Sequence, residues 1–117
     1  MNDFAQLSAN EAEWSVRSQR VQAAASQAFE RLLQLAETRG SGQIRTVAYF
    51  LASTFDGQNF PLDPFDLRTV DPSISDDMLL CLDALRWGKN DLHKLVPDGY
   101  ERILAMCQAW GFEWPEF

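Results

Sequence analysis

The stretch Asp63-Pro64-Phe65-Asp66-Leu67-Arg68-Thr69-Val70-Asp71-Pro72-Ser73-Ile74-Ser75-Asp76-Asp77 holds five aspartates in fifteen residues. Phe65, Leu67, Val70 and Ile74 run through it, so it is folded, turn-rich structure and not a solvated acidic tail. Asp-Pro occurs twice. An aspartate oxygen accepts from first-turn amides, and the fixed φ of proline suits the first helical position. Asp63 is therefore expected to open a helix of one or two turns, with Asp66 close behind. Asp71 opens a longer one, with Asp76 and Asp77 in its first turn, where each acid gains about 0.3–1 kcal/mol from the helix dipole. Two alternatives stay open. Asp66, Asp71, Asp76 and Asp77 could form an acidic patch for a partner, or the cluster could hold a divalent cation. The spacing lacks the alternating aspartates, glycine and closing glutamate of an EF-hand loop.

Working outward, Ile74, Met78, Cys81, Leu82 and Leu85 mark the buried face of the helix that Asp71 begins, running to about Trp87 with Gly88 as its stop. Upstream, Gln43–Thr54 is a second helix with the stripe Ile44, Val47, Ala48, Leu51, ended by a turn at Asp56-Gly57. A short hairpin at that turn is the alternative. Phe60 and Leu62 in the following loop are expected to tuck against the core. Downstream, Asp91–Leu95 is another short helical turn. Pro97 opens a last helix with Tyr100, Ile103, Leu104, Cys107 and Trp110 inward and Gly111 as stop.

The first helix is expected from Asn10, as N-cap, to Arg39, with Val21, Ala25, Ala28, Leu32 and Leu35 recurring at helical spacing and Gly40 and Gly42 stopping it. Thirty residues span about 45 Å, while a compact domain of this length is near 35 Å across. The helix must overhang or break. Residues 10–20 carry only Ala12, Trp14 and Val16 as apolar groups, among Arg17, Ser18, Gln19 and Arg20, so this arm is expected to project, fray or pack on a second copy of the chain.

The 117 residues, 46% apolar and 23% charged, have the balance of one globular domain able to fold without staples. No apolar run is long enough to span a bilayer. The opening MNDFAQLSANEAEW is polar and acidic, unlike a signal or transit peptide, so the cytoplasm is the expected location. Net charge is −7, concentrated in residues 63–78. Without a basic stripe, direct nucleic-acid binding is not expected. Cys81 and Cys107 lack metal-ligand spacing and read as buried free thiols, with a disulfide as the lesser alternative.

Signatures of chemistry are weak. Adjacent Asp76 and Asp77 point about 100° apart on a helix and do not make a dyad. His93, the only histidine, has no nucleophile in a recognisable signature and reads as structural. Gly40-Ser41-Gly42 reads as a helix stop and not as a phosphate cradle. The tail carries Phe112, Trp114 and Phe117, which either fold back onto the core or form an apolar patch for a partner. Trp14, Arg17 and Arg20 pose the same question. No catalytic residue, cofactor or metal is assigned.

Four blocks, AFERLLQLA (28–36), SGQIRTVAYFL (41–51), FDLRTVDPSISDDML (65–79) and GYERILAMCQAWG (99–111), resemble a small uncharacterised protein family found in proteobacteria, often on integrative conjugative elements and plasmids. The resemblance implies a domain of unknown function and a mobile-element context. Its most recognisable positions fall on Gln43, Arg45, Phe65, Asp66, Leu67, Val70, Asp71, Ile74, Asp76, Asp77 and Met78.

The expected fold is all-α, an irregular bundle of four main helices plus one or two short ones. Residues 1–20 form a polar arm, helical or frayed, 21–111 a single helical domain and 112–117 an aromatic tail. The expected function is a non-enzymatic protein–protein interaction module, an accessory of a mobile element, with a protein partner and the arm as a route to a homodimer. The alternative is an acidic inhibitor that mimics nucleic-acid charge, an anti-restriction or anti-defence factor.

Overall fold

In the computed structural model, which describes residues 3–87, 89–115 and 117, with side chains from Ala9 onward, the chain is an irregular all-α bundle. Four helices, α1 (Asp3–Thr38), α2 (Gly42–Phe55), α3 (Pro72–Leu85) and α4 (Gly99–Ala109), are joined by two 3₁₀ turns at Pro64–Arg68 and Leu92–Leu95. No strand occurs among the described residues, so Asp56-Gly57 is a simple turn.

Helix α1 is the axis of the molecule. It begins upstream of the expected Asn10, because the alanine- and glutamate-rich segment before Trp14 contains no helix breaker. Its 36 residues correspond to about 54 Å. The molecule measures 58 × 31 × 24 Å, and its radius of gyration of 16.3 Å exceeds the roughly 13 Å of a compact chain this long. The second half of α1 is sunk in the core: Ala25, Ala28, Phe29, Leu32 and Leu33 are fully buried. Each large apolar side chain so buried contributes about 1.5–3 kcal/mol.

Helix α3 runs antiparallel along α1, as the links Arg31–Asp77 and Gln22–Asn90 show. Ile74, Met78, Cys81 and Ala84 face the core, while Leu85, expected inside, is exposed beside Leu79 and Leu80. Gly88, the expected stop of this helix, lies outside the described residues. Phe60 is buried and Leu62 is half-buried against the core, as expected from the loop sequence.

Helix α4 starts at Gly99, not Pro97. Asp98 stands before it in the left-handed region at φ 53°. A side chain at Gly99 would strike the backbone carbonyl of His93, so only glycine lets the last 3₁₀ turn lie this close. The far end closes with Gly111 at φ 75°, where Phe112 N donates to Cys107 O and Gly111 N to Gln108 O. This paired pattern turns the chain back and seats Phe112 in the core.

Candidate functional site

The five aspartates do different jobs. Asp63 caps its 3₁₀ turn, its carboxylate accepting from Phe65 N at 3.0 Å. Asp71 occupies the N-cap position of α3 but makes no side-chain cap. Instead the Gln43 side chain grips it across the bundle, Oε1 accepting from Asp71 N at 2.9 Å and Nε2 donating to Oδ2 at 3.3 Å. Asp76 and Asp77 fall beyond the first turn, since Pro72 is the first helical residue, and no acid occupies the first turn itself. Asp77 forms a two-pronged ion pair with Arg31, at 2.9 and 2.8 Å, that staples α3 to α1. Among the described residues, the carboxylates of Asp66 and Asp76 have no partner.

Between the C-terminal end of α1 and the start of α3 lies an open trough of about 610 Å³, lined by Arg31, Gln34, Arg39, Ser73, Asp76 and Asp77 among others. The Arg31–Asp77 pair bridges two of its walls. Among the described residues no three His, Cys, Asp or Glu side chains are grouped as metal ligands.

The arm end of α1 carries exposed aromatic chemistry. Trp14 is 57% exposed, yet with Arg17, Arg86 and Trp87 it lines a hollow of about 270 Å³. Arg17 and Arg86 lie over the Trp87 ring, 5.4 and 5.9 Å from its centroid. The Trp87 Nε1–H is buried and meets no acceptor among the described residues. A donor left in that state costs about 1–3 kcal/mol. A second hollow, of about 320 Å³, adds Glu11, Ser15, Ser18 and Lys89 around the same two tryptophans. Ser18, 2% exposed, is the one buried residue of the described arm. Arg20 lies on a different face, with Ala12, Glu13 and Val16.

The tail splits between the two expectations. Phe112 is buried, edge-on to Tyr49, with the Arg45 guanidinium 5.0 Å from its ring centroid. Trp114 is half-buried, edge-on to Phe55, and its Nε1 donates to Asp56 Oδ2 at 2.9 Å. Asp56 also accepts from Gln58 N, Asn59 N and Asn59 Nδ2. These bonds, the Asn59 side chain's foremost, hold its carboxyl below the ordinary range. Phe117 stacks edge-on against Trp114 and stays 48% exposed.

Three features had no clear signal in the sequence. Arg102 reaches from α4 to α1 and clasps Glu30 at 2.8 and 2.6 Å and Glu37 at 3.0 and 2.8 Å. Those hydrogen bonds push its pKa up and hold the Glu30 carboxyl down. The seven-residue spacing of Glu30 and Glu37 puts both on one face, but nothing local names the arginine. Trp110 Nε1 donates to Ala36 O at 2.9 Å, satisfying a carbonyl at the end of α1. His93 packs edge-on to Phe55 and beside Tyr100, which is exposed and not inward as expected. Both thiols are free, and burial pushes Cys81 up to about 12 and Cys107 to about 11.

No helix among the described residues is long and apolar enough to cross a membrane. Comparison with curated proteins and with solved structures gives no match. One protein family does match, over residues 26–111, a span that contains all four sequence blocks and the Arg102 clasp but leaves out Trp14, Arg17, Arg20 and the end of the tail. Because that span covers well over half of the sequence, the chain belongs to a family of unknown function, DUF7673.

Proposed function

We propose that this protein is a non-enzymatic protein–protein interaction module, a cytoplasmic accessory of a mobile genetic element, that grips a protein partner at the tryptophan end of α1. One observation carries the proposal: the buried Trp87 N–H without an acceptor among the described residues, beneath an exposed Trp14 and two guanidinium groups. Tryptophan and arginine are the residues most often found as interface anchors. An occupant that parts the two guanidinium groups and presents a carbonyl or carboxylate would satisfy the indole while covering the Trp14 face. The non-enzymatic part rests on commitment of the carboxylates: Asp56, Asp63, Asp71 and Asp77 already serve turns and helix contacts.

The test is affinity capture from the native host with wild type, Trp14→Ala and Trp87→Phe, the last of which keeps a ring and deletes only the N–H. A specific partner should be recovered by the wild type and lost with Trp14→Ala, and its recovery should fall with Trp87→Phe. Capture indifferent to both changes, or no specific partner at any salt concentration, removes the proposal. The charge-mimic reading is weaker, because Asp71 and Asp77 have internal partners and leave Asp66 and Asp76 to carry it. Asp66→Asn with Asp76→Asn leaving partner affinity unchanged would eliminate it.

A further inference from the structure

The neighbouring face of the arm supports a separate inference. Every residue from Glu11 to Arg20 except Ser18 is exposed. Ala12, Glu13, Val16, Arg17 and Arg20 share one face, and Val16 is 56% exposed. A helical segment of this length is marginal in water without packing. Its charges also reverse in order: Glu11 and Glu13 come first, Arg17 and Arg20 follow. Among the described residues Glu13 and Arg20 make no ion pair. A second copy lying parallel would set acid against acid. A second copy lying antiparallel sets acid against base along the whole arm.

We propose that two copies of this chain pair antiparallel through this outer face of α1, about a two-fold axis crossing at Val16. The two Val16 side chains then meet on the axis. Glu13 lies three residues from it, and Arg20 of the other copy lies four, a difference in height of about 1.5 Å. Arg17 flanks the same glutamate from the other side. Two-fold symmetry repeats each contact, so one such pairing gives two clusters. Trp14 lies off this face, among the residues that line the Trp87 hollow, and Arg17 borders both, so Glu13→Arg, outside that hollow, is the variant that separates this pairing from the partner-binding proposal.

The test is direct: light scattering on the full chain as it elutes from a sizing column, across a concentration series, at low and high salt. Wild type should be a dimer that weakens as salt rises. Glu13→Arg should raise the dissociation constant about tenfold or more by setting like charges together, and the pair Arg17→Glu with Arg20→Glu should do the same. All three changes together should restore dimerisation to within about threefold of wild type, since the charges are swapped and not lost. Circular dichroism on each variant checks that the fold is intact, which the exposure of these positions favours. A wild-type monomer at every concentration overturns the inference. So does a dimer indifferent to the single-sign variants, or a folded triple variant that fails to recover.

Discussion

The two halves of α1 share one backbone and obey opposite rules. From Val21 to Thr38 the helix is wrapped by α2, α3 and α4 and clasped by Arg102. From Ala9 to Arg20 only Ser18 is buried, and Trp14 and Arg17 lie at the edge of the body beside Trp87. The buried half is helical because packing makes it so. The exposed half inherits its helix by propagation from that nucleus, one hydrogen bond per residue added. Stability and recognition are thereby separated along a single element.

The largest test of that contrast sets Phe29→Ala against Trp14→Ala. Removing the fully buried Phe29 ring should cost about 3–5 kcal/mol in urea unfolding, whereas Trp14→Ala should cost less than about 1 kcal/mol. Equal losses would break the distinction. Next, Gly99→Ala should cost about 1–3 kcal/mol, because the new methyl must displace the His93 carbonyl. A variant as stable as wild type would mean the 3₁₀ turn can move away freely.

Arg102→Leu should cost about 1–2 kcal/mol, allowing for a clasp that remains partly open to water. It should also change the acid limb. Hydrogen bonding from Arg102 lowers the Glu30 pKa in the folded chain, so the folded state binds fewer protons there than the unfolded state. That contribution is complete above the ordinary glutamate value of about 4.3 and disappears as pH falls through the lowered one. Thermal melts between neutral and acid pH should converge for the two proteins at low pH; a constant gap would place the clasp's effect elsewhere. Smallest of all, removing residues 1–13 should shift body stability by less than about 0.5 kcal/mol. Hydrogen exchange should show the matching gradient, with arm amides exchanging fast and those around Leu32 slowest.

Most of the bundle was legible because periodicity, proline starts and glycine stops are local signals. The stripe of Ile44, Val47, Ala48 and Leu51 needed only its own spacing. The cross-bundle contacts were not legible. Asp71 and its Gln43 clamp are 28 residues apart, and Arg102 is 65 from Glu37, so a side chain that reads as a helix cap can prefer a distant amide. Asp76 and Asp77 were placed in the first turn, but with Pro72 as the first helical residue they stand one turn later, where Asp77 finds Arg31 and the dipole no longer matters. At the candidate site, the exposure of Trp14 followed from a polar, overlong helix. Trp87 was missed because the end of α3 reads as a simple stop, and an unsatisfied N–H has no sequence signature.

The two free cysteines give the body its own clock. Cys81 on α3 and Cys107 on α4 are shut away and, at neutral pH, remain almost wholly protonated. A thiol reagent can modify them only when those helices part, whatever the arm is doing. The rate of alkylation of the native chain therefore times the opening of the core alone, and comparing it with and without the docked partner or the second copy would reveal whether occupancy of the arm is felt at the far side of the bundle.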